Sequence, residues 1–145
     1  GHLKAKDFEQ VMAVNVTATW RVLRTTDPLL RQSDAGRAIV MSSAAAHSCK
    51  PYWGPYSTSK AAVEALARTW AGETQNTPIR VNCVNPGATR TRMRAQAMPG
   101  EDPETLPSAS DVAAKIVPLA GSAITETGKL WDVPTEAWLD FQHPA

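Results

Sequence analysis

Glycine is sparse and scattered in this chain. Its eight glycines never come closer than Gly121 and Gly128, seven residues apart. No Gly-x-Gly occurs, so neither a P-loop nor a glycine-rich phosphate cradle at a helix start can be built from it. Cysteine is scarcer still. Cys49 and Cys83 lack paired metal-ligand spacing and point to free thiols in a reducing, cytoplasmic compartment. His2, His47 and His143 lie far apart and form no ligand motif, so no catalytic metal is expected. No stretch approaches the ~20 apolar residues that span a membrane. No signal peptide is visible, at a start where truncation would hide one. Fifteen Lys and Arg against fourteen Asp and Glu leave a net charge of +1, which gives no electrostatic case for nucleic acid. Internal repeats and low-complexity tracts are missing. A length of 145 residues suits one domain with a core of its own.

What is present is a triple. Tyr56 and Lys60 stand four residues apart, and Ser43 precedes the tyrosine by thirteen. Pro55 suits a first helical turn, and the alanine-rich run after Lys60 favours helix. Positions i and i+4 share a helix face, so a phenol and an ammonium group sit side by side at a helix start. Ala38-Ile39-Val40-Met41 reads as a short buried strand that delivers Ser42 and Ser43 at its carboxyl end. Ligands bind at that end in open α/β sheets. A cation and a helix N-terminus beside a phenol both favour its anionic form. A hydroxyl from Ser43 can hold a substrate oxygen against the tyrosine. These are the parts of a site that moves a proton to or from an alcohol or carbonyl oxygen. Taken alone, Tyr-x-x-x-Lys is common by chance and usually marks a half-buried tyrosine beside a solvated lysine. A serine hydrolase is disfavoured, because Met41-Ser42-Ser43-Ala44 is no Gly-x-Ser-x-Gly elbow.

The remaining pattern alternates helices and strands, which predicts an α/β fold with a parallel sheet and right-handed crossovers. Apolar residues from Phe8 to Leu23 recur on a mostly helical period, so Asp7 to about Arg31 reads as a long helix, with a possible kink at Asp27-Pro28. Arg37 to Ser43 reads as a strand, Ala44 to Pro55 as an irregular loop, Tyr56 to about Asn76 as a helix and Ile79 to Val84 as a second strand. Met98 to Pro107, with its prolines and Gly100, reads as a mobile loop. Ser110-Asp111 marks a helix start, and Lys129 to Val133 the last strand. The run Arg90, Arg92, Arg94 reads as a solvated face or as a contact to a cofactor phosphate or acidic substrate.

Two further matches join the triple: Asn82-Cys83-Val84-Asn85-Pro86-Gly87 followed by Thr91, and Asn15 in Val14-Asn15-Val16-Thr17-Ala18. In this order the set resembles the short-chain dehydrogenase/reductase family, from about Asp7 to Val133. The motifs are specific together and weak singly. The resemblance implies a Rossmann-type doubly wound parallel sheet with helices on both faces, and an oxidoreductase using NAD or NADP on a small-molecule carbonyl or alcohol. It implies that Tyr56 is the acid/base, that Lys60 activates it and bonds the nicotinamide ribose, and that Ser43 orients the substrate oxygen. Asn15 would interrupt its helix and hold a water of a proton relay, or else be a polar residue at a helix bend. Pro86 and Gly87 would line the nicotinamide. Thr91 would meet its carboxamide, or else cap the next turn.

The family's glycine-rich turn and its Asn-Asn-Ala-Gly segment have no counterpart, so the resemblance covers the second, catalytic half of the fold. A fragment, or part of a longer protein, is the expectation. The alternative function is a non-catalytic remnant or interaction module. The resemblance also implies a homo-oligomer, with Trp20 and Trp70 as interface anchors or core residues. The substrate side would lie at Ala44–Trp53 and Thr91–Met98, closed by Leu130-Trp131 and the tail around Trp138.

Overall fold

Between Ala5 and Asp27 no glycine or proline interrupts the chain, and its apolar residues repeat at helical spacing. In the computed structural model, which describes residues 1–142, this segment is helical throughout. Helix α1 (Ala5–Met12) passes through a π-helical turn at Ala13–Thr17 into helix α2 (Ala18–Leu30). The change of pitch surrounds Asn15, and the helix runs on through Pro28. Pro28 falls in the last turn and lacks the N–H that would bond the Arg24 carbonyl, so one ladder bond is missing there. That turn is anchored instead: the Asp27 carboxylate accepts from Arg31 Nε (2.8 Å) and from Trp70 Nε1 (2.7 Å). Those two bonds, Arg31 first, hold the Asp27 carboxyl below its ordinary range.

The four strands are β1 (Arg37–Met41), β2 (Arg80–Asn85), β3 (Leu130–Asp132) and β4 (Ala137–Leu139), in that spatial order. β1, β2 and β3 run parallel, with Val40 opposite Cys83 and Val84 opposite Trp131. β4 returns antiparallel to β3. The sheet is therefore mixed, and β3 is not its last strand as the sequence suggested. The turn between them carries no Asn-Gly or Asp-Gly signal. It is closed by Asp132 Oδ2, which accepts from the Thr135 backbone and hydroxyl, with Glu136 at φ +51°.

β2 is buried on both faces, as its apolar run requires. Val81 and Cys83 face α2 and helix α4 (Gly54–Glu73), whose Val63, Ala67, Trp70 and Ala71 form one core. Val84 faces the opposite core, with Val112 and Leu119. Short helix α3 (Ala45–Ser48) lies in a segment that reads as a loop, and short helix α5 (Arg92–Ala97) carries Arg92 and Arg94 of the arginine run. Helix α6 (Ala109–Ile116) starts two residues earlier than expected, because Ser108 rather than Ser110 has an aspartate at the third position. Ser108 and Asp111 form a reciprocal capping box. The Met98–Pro107 segment is braced by Arg94–Glu101 and Arg90–Glu104 pairs and holds a 3-10 turn at Pro103–Thr105. Trp70 is a core residue at 7% exposure, not an interface anchor, whereas Trp20 is 46% exposed. Among the described residues no helix is long and apolar enough to cross a membrane. His143 lies outside the described residues.

The two cysteines differ sharply in setting. Cys49 is exposed and Cys83 is buried in β2. Burial pushes the Cys83 thiol up to about 12. A thiol reagent at neutral pH is expected to modify one cysteine per chain in the native state and the second only after denaturation. Fast modification of both would contradict the packing around β2.

Candidate active site

β1 ends at Met41, and the chain leaves the sheet as Ser42-Ser43. Ser42 turns inward, 2% exposed, and donates to the buried carboxyl of Glu64. Ser43 faces the opposite way and lines a cavity of about 740 Å³. α4 begins at Gly54 with Pro55 in its first turn, which places Tyr56 at the helix N-terminus on the same cavity. One turn on, Lys60 Nζ lies 5.7 Å from the Tyr56 ring centroid and donates to the Met41 carbonyl oxygen at 2.8 Å. That bond ties the ammonium to the strand end. Burial pushes the Lys60 ammonium below its ordinary value, and Cys83 and Glu64 oppose the shift. Glu64 stands one further turn along α4.

The other wall comes from the end of β2. Asn85 organises it: Oδ1 accepts from Ala44 N (3.0 Å) and Gly87 N (3.2 Å), while Nδ2 donates to Asp132 (2.6 Å). One side chain thus braces the ends of β1, β2 and β3 together. Beyond it, Pro86, Gly87, Thr89 and Thr91 line the cavity. Gly87 sits at φ +73°, in the left-handed region that suits glycine. Thr91 caps α5 by accepting from Arg94 N at 3.2 Å, and its own O–H remains a donor.

Ser43, Tyr56, Pro86, Gly87 and Thr91 therefore share one cavity, with Lys60 behind the tyrosine. Asn15 is not among its lining residues. It reaches α4 from the π-helical turn, where Nδ2 donates to Ser59 Oγ (2.9 Å), and Ser59 Oγ donates to the Tyr56 carbonyl oxygen (2.8 Å). Leu130, Trp131 and Trp138 do not line the cavity either. The two tryptophans oppose each other across β3 and β4 and pack edge to face at 5.1 Å. Arg90 and Arg94 each bind a carboxylate, Glu104 and Glu101; the Arg90 pair is exposed to solvent and the Arg94 pair is half-buried. The Ser42–Glu64–His47 cluster escaped the sequence reading, although Glu64 repeats the four-residue spacing from Lys60. His47 Nε2 lies 3.0 Å from Glu64.

A family model described as short chain dehydrogenase matches residues 1–102. The chain is 44% identical over 105 residues to an uncharacterised oxidoreductase, YciK, of Escherichia coli K12, covering 72% of this chain and 41% of the relative. It is 32% identical over 129 residues to a chloroplastic NADPH-dependent aldehyde reductase-like protein of Arabidopsis thaliana, covering 86% and 48%. The fold matches a crystal structure of a short chain dehydrogenase of Shigella flexneri 2a complexed with NADP, at TM-score 0.87 and 37% identity, covering 92% and 56%. The chain belongs to the short-chain dehydrogenase family. It spans about half the length of the relatives it matches.

Short-chain dehydrogenases are oxidoreductases that bind a nicotinamide cofactor, and the donor set of this cavity fits the nicotinamide-ribose end of one. Lys60 spends one of three N–H groups on Met41, which leaves two for hydroxyls. The turn beside it is uncharged and carries no side chain at Gly87. The described residues offer no comparable fit to a pyrophosphate, since the chain has no glycine-rich turn and Arg90 and Arg94 are engaged.

Proposed function

We propose that these residues are the catalytic half of an NADP(H)-dependent carbonyl reductase. The observation that carries the reading is the convergence of Ser43 and Tyr56 on one cavity, with Lys60 tied behind the phenol. The relative named as an NADPH-dependent reductase and the structural neighbour complexed with NADP support NADP(H), while two Mycobacterium tuberculosis relatives are named as NAD-dependent oxidoreductases. Lys60 would bond the ribose, and Pro86, Gly87 and Thr91 would meet the nicotinamide. When bound, a reduced nicotinamide would supply the hydride that the carbonyl carbon receives. Tyr56 gives its O–H proton to the carbonyl oxygen, which completes the alcohol. Ser43 donates a hydrogen bond to that oxygen and fixes it before the tyrosine. The ammonium of Lys60 stabilises the negative charge left on the phenol oxygen. Asn15, at the π-helical turn, belongs to the path that returns a proton through Lys60. The exposed apolar residues Val14, Trp20 and Val22 of the first helix support a homo-oligomer.

The full-length protein is expected to consume NADPH, and NADH more slowly, when given simple aldehydes or ketones. The loss of nicotinamide absorbance measures this. Absence of turnover with both cofactors, in both directions and across a carbonyl and alcohol panel, sinks the reading.

A further inference from the structure

The cavity wall is apolar on the side away from Gly87. Val11, Met41, Met93, Val112 and Ile116 contribute to it. Two aromatic residues stand at its rim. Trp53 packs edge to face on Tyr56, with centroids 5.8 Å apart and planes at 71°. Tyr52 is 100% exposed and holds φ +70°, a conformation that bulky side chains rarely adopt. Among the described residues nothing packs over that ring. Both rings present flat apolar faces where a substrate body would enter.

The charges of the wall are as informative. Arg94 is the one Lys, Arg, Asp, Glu or His among the described lining residues. Its guanidinium is held bidentate by Glu101, Nε to Oε2 and Nη2 to Oε1, both at 2.6 Å. The two side chains are only 26% exposed, so the pair is partly withdrawn from water. An arginine in such a wall would otherwise receive a substrate carboxylate or phosphate in the same fork. Here that fork is filled from within the chain.

Resting on the carbonyl-reductase reading, we propose that the cavity selects uncharged carbonyl compounds with an aromatic or branched-alkyl body. Glu101 occupies Arg94 and thereby excludes anionic ones. The aromatic rim and the aliphatic wall hold the body of the substrate, while Ser43 and Tyr56 receive its oxygen. A carboxylate on that body would lose its water against apolar side chains and find no unpaired cation among the described lining residues.

The test compares para-isopropylbenzaldehyde with para-carboxybenzaldehyde, which match in shape and differ in charge. In the full-length protein with NADPH, kcat/KM is expected to favour the isopropyl compound by roughly a hundredfold, the scale of leaving a desolvated charge unpaired. Glu101→Gln releases the guanidinium and should narrow that ratio by about tenfold through faster turnover of the carboxylate. Adding Arg94→Leu should restore the original ratio, which separates a released cation from a loosened loop. Equal kcat/KM for the two aldehydes, or a ratio that Glu101→Gln does not move, overturns the proposal while the reductase reading stands. If neither aldehyde turns over, the carbonyl and alcohol panel decides the reductase reading, and quenching of tryptophan fluorescence by the two compounds decides selectivity alone. Saturable quenching by the isopropyl compound only, lost in Trp53→Phe, supports the proposal. Quenching by both, or by neither, overturns it.

Discussion

Replacing Tyr56 with phenylalanine is expected to lower kcat of the full-length protein by about 10²- to 10⁴-fold, the range for loss of a positioned proton donor. The substitution is clean because the ring stays. Phenylalanine still fills the start of α4, still meets the edge of Trp53 at 5.8 Å and still lies 5.7 Å from Lys60. Only the O–H is lost. The bond from Lys60 to the Met41 carbonyl does not depend on that group, so the ammonium stays in place for a ribose. Nicotinamide affinity should therefore hold while the chemical step slows. Steady-state rates and a cofactor titration by tryptophan fluorescence separate the two. Loss of both together would mean that Tyr56 builds the site without moving the proton. Full turnover in the variant would transfer the proton to another group.

The legible parts of this site are those set by short-range spacing. Tyr56 and Lys60 share a helix face, and Ser43 follows a strand of five residues, so each could be placed from local pattern alone. The contacts that complete the site close over long loops. Glu64 finds Ser42 22 positions back and His47 17 back, and Asn85 reaches Ala44 41 back. Nothing in a local window announces such pairs, even where, as with Glu64, one partner stands at helical spacing. β4 was hidden for a different reason. Three residues, Ala137-Trp138-Leu139, are too few to show alternation, and the turn before them is closed by Asp132 and Thr135 rather than by glycine. The same short strand pairs Trp138 with Trp131 and so removes both from the substrate side, where the family resemblance had placed them. The Arg94–Glu101 pair shows the limit most clearly. The sequence displays three arginines in alternation, and only the folded loop reveals that two of them are already neutralised.

Gly87 joins fold and site, and Gly87→Ala should cost about 2–5 kcal/mol of stability, a sum of dihedral strain and overpacking. At φ +73° any other residue is strained, and a Cβ there would stand 2.7 Å from Pro134 Cγ and 3.3 Å from its Cδ. A proline ring has little freedom to withdraw. It also follows Val133, whose N–H donates to the Asn85 carbonyl at 2.9 Å, so pushing Pro134 pulls on the end of β2. Gly128→Ala is the matched control. Its φ is +72°, but its Cβ would meet only the Ala71 Cβ, at 3.5 Å, an ordinary contact. That variant should lose only the dihedral part, about 1–2 kcal/mol. Urea midpoints of the two variants give the contact with Pro134 by difference. Equal losses would mean that the ring yields and that the Pro86-Gly87 turn is softer than its neighbours suggest. A larger loss in Gly87→Ala, together with weaker nicotinamide binding, would show that Asn85 and Pro134 hold the turn at the shape the cavity needs.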